Sequence, residues 1–485
     1  MSEPQPPADE PTSGQWGPPP SVPPTLSNQQ RYADPFAGMA SGPAPETPKR
    51  RKEGVWVALA AIIGAAAVIG GVAWYTQRDT DDEALAGRDL TPRTTQDSPD
   101  DEAGSDDPAV PENEAVEPEE AAPEIAPNGD NAVCPDGTRQ EVCDAARFVE
   151  DFRGRPFQTF PVVEFADEDE FLERLLDDVD QEDIDETEVQ GEVLGSLGLI
   201  RPGVDLVRVT TQSLEIGVVG FYDPVSKELV IRGSEINPFV ELIMVHELVH
   251  AHDDQWLDLD RPEIEDLDDE TFLGFLAVVE GNANRVESAW RAELSPRKRS
   301  ELSNLEFSFY GPDDIAILQQ IPSFVLETQF FPYEDGPVLV RAIADAAGGG
   351  DAGERAVDEA ILNPPPTSEQ SLHPQQYLDG ESVPVISAPA ASGEVIDEGV
   401  IGELVFDIWF GDVVGDGWNG DRYVSFERDG QTCTVINVAA DSGEDLDEFF
   451  DAAADWVGDA EGDDLRRSDQ TRVDGVDVVI IEGCR

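Results

Sequence analysis

The sequence predicts an α+β protein with a single N-terminal membrane-spanning helix, and three observations carry that expectation. From about residue 145 onward, apolar residues recur at helical three- and four-residue spacing over several long runs. Two stretches, "GVVGFYDPVSKELVIRG" and "DRYVSFERDGQTCTVINVAA", alternate instead, and each turns about an Asp-Pro or Asp-Gly pair as a β-hairpin does. Far upstream, Gly54 to Thr76 holds no charged residue, a run long enough as a helix to cross about 30 Å of hydrocarbon.

Residues 1–53 are rich in proline and poor in apolar side chains. Such a segment cannot bury enough surface to offset its ordering entropy, so a disordered cytoplasmic tail is expected. Lys49, Arg50, Arg51 and Lys52 stand just before the apolar run, and Trp56, Trp74 and Tyr75 lie near its ends. Basic residues on one side and interfacial aromatics predict a single-pass helix over 54–76, with the N-terminus cytoplasmic and the bulk of the chain extracytoplasmic, at the cell membrane. A cleaved signal peptide is the alternative, but the apolar run exceeds the usual signal core. Residues 77–132 are acidic with scattered Pro, Ala and Ser, which predicts an extended, self-repelling linker.

Charge excludes one class of partner. The chain has 31 basic and 104 acidic residues, a formal net charge of −73. Phosphate would be repelled by such a surface, so nucleic acid is not expected as a partner. The four cysteines, Cys134, Cys143, Cys433 and Cys484, all follow the apolar run, and their even number predicts disulfides in an oxidising compartment. Cys134–Cys143 and Cys433–Cys484 are the expected pairs, although three pairings are possible in principle. Cys134 and Cys143 are spaced too widely for the usual zinc knuckle.

The folded part divides by pattern into a larger region, 133–380, and a smaller C-terminal α+β subdomain, 381–485. "EFADEDEFLERLLDDVD" reads as an amphipathic helix with Phe171, Leu172, Leu175 and Leu176 inward. After the first hairpin come two long helices, about 236–256 and 269–294, then further helical segments up to the Pro364-Pro365-Pro366 break. The C-terminal region adds the Asp429-Gly430 hairpin, the helix "GEDLDEFFDAAADWVG" and a last strand "VDVVIIEG".

Three of the chain's four histidines fall within one stretch, "VELIMVHELVHAHDDQW". His246 and His250 sit at i and i+4, on one helix face, so both imidazoles can reach one Zn²⁺ ion. Glu247 is rotated about 100° from His246 and so reaches a water on the metal rather than the metal itself. Leu242, Val245, Val249, His252 and Trp256 form an apolar stripe, which assigns His252 to packing rather than ligation. Asp253 and Asp254 come back toward the metal face, where either could orient an imidazole through its other nitrogen. A catalytic zinc needs a third protein ligand. Glu280 interrupts the apolar face of "DETFLGFLAVVEGNANRVESAW", and a buried carboxylate needs a cation. Glu280 is therefore the expected third ligand and Glu287, further along, its rival.

HExxH followed by a glutamate on a following helix resembles the gluzincins, the thermolysin-like zinc peptidases. The chain is more closely similar to a group of bacterial HExxH proteins. That likeness rests on "RGRPF" (153–157), "GFYDP" (220–224), "HELVHAHDDQ" (246–255), "VEGNA" (279–283), "FPYEDG" (331–336), "PPTSEQSLHP" (365–374) and "GWNGDRY" (417–423), and covers roughly 145–485. It implies a zincin-like metallopeptidase domain over 133–380, a peptide or protein substrate and Zn²⁺ as cofactor. It also implies a donor to the oxyanion outside the ligand set. His373 could serve as that donor, since Thr367 and Gln370 form a capping-box pattern and Pro374 ends the short helix they begin. Tyr377, one turn on, is the other candidate, at a substrate-binding position. A structural histidine holding a loop carbonyl is the plain alternative for His373. Together these parts predict hydrolysis by a water acidified toward about pKa 7, with Glu247 as general base and an extended substrate paired along Glu228–Arg232. A non-peptidase zinc hydrolase and an inactive envelope-binding module are the two rival functions.

Overall fold

The computed structural model describes residues 134–485, except 178, 180, 202, 266, 383 and 459–464. The architecture is α+β with two sheets. Among the described residues no helix is long and apolar enough to cross a membrane. This corrects the expected fold class, which had joined a membrane-spanning helix to the α+β part. The segments 1–53, 54–76 and 77–132 lie outside the described residues.

The first sheet has strands β1 (Val163–Ala166), β2 (Gly220–Asp223) and β3 (Glu228–Arg232), in the order β1-β3-β2. The β2–β3 hairpin is antiparallel and β1 lies parallel to β3. Strand β1 takes up residues that their helical spacing had assigned to a helix. That helix runs only from Glu168 to Leu175, because Asp167 caps it by accepting the Glu170 amide, while Val163 to Ala166 find a partner strand. Strand β3 is flanked on both sides, so its backbone is already paired. This corrects the expectation that Glu228–Arg232 receives a substrate strand; β2 is the edge strand on that side.

Two long helices carry the centre of the larger region. The motif helix, Pro238–Leu257, starts where Asn237 accepts the amides of Phe239 and Val240 and Pro238 fills the first turn. It is buried on every side, not along one stripe: Leu242, Ile243, Met244, Val245, Leu248 and Val249 are all fully enclosed. The glutamate helix, Asp269–Glu293, is capped by Asp268 through the Thr271 amide and packs alongside it. On its other side the glutamate helix meets the helix Gly336–Ala346 at very close range. A Cβ on Gly281 would lie 2.3 Å from the Gly336 backbone, so the two glycines are what permit this approach.

The second sheet has strands β4 (Glu394–Gly399), β5 (Trp418–Arg428), β6 (Gln431–Ala440), β7 (Leu465–Val473) and β8 (Val476–Cys484), in the antiparallel order β4-β5-β6-β8-β7. Asp429 and Gly430 both take positive φ, 56° and 81°, the turn geometry that matches strand twist in a two-residue hairpin. The disulfide Cys433–Cys484 joins directly opposed residues of β6 and β8, and Cys134–Cys143 closes the start of the described chain. One core crosses the 380/381 division: Val193, Leu194 and Leu197 from the helix Gln181–Leu197 pack with Ile436, Val479 and Ile481 of the sheet.

Candidate metal centre

His246, His250 and Glu280 come together between the motif and glutamate helices, with one ligand atom from each lying within 4.8 Å of the others. His246 Nε2 is 3.0 Å from Glu280 Oε2, and His250 Nε2 is 3.4 Å from the same oxygen. Donors bound to one ion at bonds of about 2.1 Å and tetrahedral angles lie roughly 3.4 Å apart, so this spacing suits a shared metal. His246 and Glu247 are 0 % exposed, His250 1 % and Glu280 2 %. The trio is sealed from bulk water.

Each neighbour of the trio has a distinct place. The Nδ1 of His246 faces Glu287 Oε2 at 3.3 Å. Glu287 therefore sits on the far side of the ring from Glu280, where it orients the imidazole instead of adding a ligand. Tyr333 lays its ring over His246, centroids 6.2 Å apart and 25° from parallel. Glu247 points toward β2, its Cγ 3.4 Å from where a Cβ on Gly220 would stand. Neither Glu247 oxygen nor either His250 ring nitrogen has a hydrogen bond of good geometry, although the Tyr222 amide lies by Glu247 and Glu280 by His250.

The electrostatics of this centre call for a cation. Three carboxylates, Glu247, Glu280 and Glu287, face two imidazoles in a buried space. Burial pushes Glu247 well above the usual carboxylate range, with only the His246 charge and the Tyr222 amide easing it. Burial works against charge on His246, yet hydrogen bonds to Glu280 and Glu287 win and push the imidazole up to about 10. Burial would raise Glu280, but His250 and His246 together pull it down to about 2. Without a metal, then, the surroundings raise the proton affinity of both His246 and Glu247. A divalent ion on the trio would supply that positive charge, and the orphaned atoms of His250 and Glu247 would gain partners. The residues present fit a metal ion.

A buried ionic network holds the two helices in register. Arg153, on the helix Gln140–Arg153, donates to Asp253 of the motif helix at 3.0 Å and to Glu354 and Asp358. Asn282 of the glutamate helix donates to the same Asp253 at 2.6 Å, and Arg285 one turn on binds Glu354. Burial opposes the charge on Asp253, but Arg153 holds its carboxyl well below the usual range. Asp253 thus links to the glutamate helix and to the His252 imidazole, whose Nδ1 lies 3.2 Å from Asp253 Oδ1, rather than to either imidazole of the trio. Asp254 is equally committed elsewhere, accepting from the Tyr222 hydroxyl at 2.6 Å and from Lys227. His252 is buried against Phe157, with its Nε2 donating to the Arg155 carbonyl at 3.2 Å, away from the trio. Sequence reasoning assigned no role to Arg153 or Tyr333. The only trace of them was their position inside the quoted "RGRPF" and "FPYEDG" segments.

The other two expected site residues lie elsewhere. Thr367 caps the short helix Ser368–Leu372 by accepting the Gln370 amide, and His373 follows it. His373 Nε2 faces Glu403 Oε1 at 2.7 Å and Asp416 Oδ1 at 3.8 Å, and none of its polar contacts runs to the trio. This corner is anchored where Ser368 donates to Glu270, ten residues before Glu280 on the glutamate helix, or about 15 Å of helical rise. Tyr377 spends its hydroxyl on the Asn363 carbonyl at 2.8 Å. Between the helix Ser323–Glu334, which carries Tyr333, and the helix Glu403–Phe410 lies a cleft of about 220 Å³. Phe330, Phe331, Leu404 and Ile408 form its apolar wall, and Glu327 and Asp407 are among the acids on its lining.

A family described as a domain of unknown function (DUF8575) matches residues 384–483, the span of the second sheet. No curated protein and no solved structure matches the chain.

Proposed function

We propose that this chain is a zinc-dependent metallopeptidase, with His246, His250 and Glu280 as ligands and Glu247 as general base. One observation carries the reading: Glu247, a carboxylate with no hydrogen bond of good geometry, is buried beside three ligand atoms that converge within 4.8 Å. Two histidines and a glutamate, leaving a fourth position open, are the donor set of a catalytic rather than a structural zinc. Bound there, zinc would polarise the substrate carbonyl and lower the pKa of a water toward about 7. Glu247 accepts a proton from that water as it attacks the carbonyl carbon, and returns it to the amine as the C–N bond breaks. Its raised proton affinity suits a group that must hold a proton between those two steps. Glu287 keeps the His246 ring in the orientation that presents Nε2 to the metal.

Strand β2 supports a peptide substrate, because it is an edge strand that passes beside Glu247. The acid-lined apolar cleft on the Tyr333-bearing helix favours substrates with cationic and apolar side chains. The two disulfides favour an oxidising, extracytoplasmic setting.

A second reading has its own observation. His246, His250 and Glu247 are essentially unexposed, and so enclosed a centre favours a small-molecule zinc hydrolase over one that admits a polypeptide. Metal analysis and hydrolysis assays on the purified chain decide between them. The expected result is one zinc equivalent, at the trio, that His250→Ala removes and Glu247→Gln retains, with cleavage of a peptide library that falls about 10²-fold or more in Glu247→Gln. Zinc retention with no peptide cleavage, but Glu247-dependent hydrolysis of small esters or amides, would replace the peptidase reading with the second.

A further inference from the structure

Outside the trio, His373, Glu403 and Asp416 also converge, with one ligand atom from each within 4.8 Å of the others. We propose that these three residues form a second, independent site for a first-row divalent metal ion, which ties the Ser368–Asp379 corner to the entrance of the second-sheet region.

The geometry is that of ligands waiting for a common ion. The separations of 2.7 Å and 3.8 Å from His373 Nε2 to Glu403 and Asp416 bracket the roughly 3.4 Å expected of tetrahedral donors. An imidazole and two carboxylates suit zinc or manganese better than calcium, which takes oxygens alone. The partner of Glu403 gives the stronger argument. Glu403 opens the helix Glu403–Phe410, is 0 % exposed, and leaves its Oε2 buried with no hydrogen bond. A carboxylate enclosed in that way is costly unless a cation reaches it. His373 alone satisfies one of its oxygens. Asp407, one turn along the same helix, adds a second buried oxygen without a hydrogen bond. The turn carrying Asp416 is pressed against Asp407: a Cβ on Gly415 would stand 1.7 Å from Asp407 Oδ1. Only glycine permits the approach that brings Asp416 to the group.

The elements joined are far apart in sequence. His373 lies between the short helices Ser368–Leu372 and Pro374–Asp379, whereas Glu403 and Asp416 flank the helix pair that precedes β5. Ser368 already bridges the two sides, donating to Glu270 and accepting the Leu404 amide. An ion at His373 would complete this junction.

The test is a zinc count on the full-length chain, stripped with chelator, equilibrated with Zn²⁺ and freed of excess by gel filtration. Wild type should hold two equivalents. His250→Ala should hold one, His373→Ala should hold one, and the double variant none. Asp416→Asn, at an exposed position, should also lose one equivalent and guards against a fold defect in His373→Ala. A wild-type chain holding a single equivalent that His250→Ala removes would overturn the proposal. So would two equivalents retained in both His373→Ala and Asp416→Asn. Failure of the peptidase reading leaves a different trace: the His373-dependent equivalent would persist whatever the trio binds.

Discussion

Gly281→Ala is the sharpest test of how the fold places Glu280. The added methyl would stand 2.3 Å from both the carbonyl carbon and the oxygen of Gly336, and 2.9 Å from its Cα. Ordinary contact begins near 3.4 Å, so the glutamate helix and the helix Gly336–Ala346 must part by roughly 1 Å. Overpacking of a core costs about 1–3 kcal/mol, and here the obstruction is backbone, which has no rotamer to yield, so about 3 kcal/mol is expected. At roughly 2 °C per kcal/mol for a large domain, the melting temperature should fall by about 6 °C. Glu280 is the adjacent residue, so the same displacement should weaken metal binding. The control is Gly195→Ala, in the helix Gln181–Leu197, where nothing lies within 4 Å of the new Cβ. Removing glycine there should stabilise by about 0.5–1 kcal/mol. The assay is thermal melting by circular dichroism with parallel zinc titration. If Gly281→Ala melts within a degree of wild type and binds zinc unchanged, the close helix contact does not position the ligand.

Arg153→Met leaves Asp253 buried without its main countercharge, and should cost about 3–5 kcal/mol in urea unfolding; a loss under 1 kcal/mol would remove the network from the account. Glu287→Gln should keep the zinc stoichiometry while lowering affinity about 10- to 100-fold, read by chelator competition; loss of the whole equivalent would make Glu287 a ligand. Stability should also fall as pH rises from 5 to 8.5. Burial raises Glu270 to about 8, Asp407 to about 8 and Asp421 to about 6, against about 4 in an unfolded chain. Folding therefore favours their protonated forms, a contribution complete below about pH 4 and lost as pH climbs through those values. Carboxylates held low, such as Asp253, lose their contribution only below this window. A melting temperature that is flat or rising from pH 5 to 8.5 would contradict the burial argument, and Glu270→Gln should flatten the slope.

Some of this was legible in the sequence because its causes are local. The i, i+4 placement of His246 and His250 follows from helix pitch alone, and Asn237-Pro238 marks the start of that helix within two residues. Asp429-Gly430 closes its hairpin by backbone preference, and Thr367 caps its short helix through its own side chain. Relations between elements had no such local cause. The stripe drawn on the motif helix misjudged its burial, because packing from every side overrides a one-face pattern. Glu280 and Glu287 lie two turns apart on one helix and are indistinguishable by spacing. Only the packing of the glutamate helix against the motif helix puts one at Nε2 of His246 and the other at Nδ1. Whether a strand is central or at an edge depends on a partner elsewhere in the chain, and β1 supplied the one that closed off β3. His373 met Glu403 for the same reason: periodicity reports the face a residue occupies, while its partner is chosen by how distant helices dock.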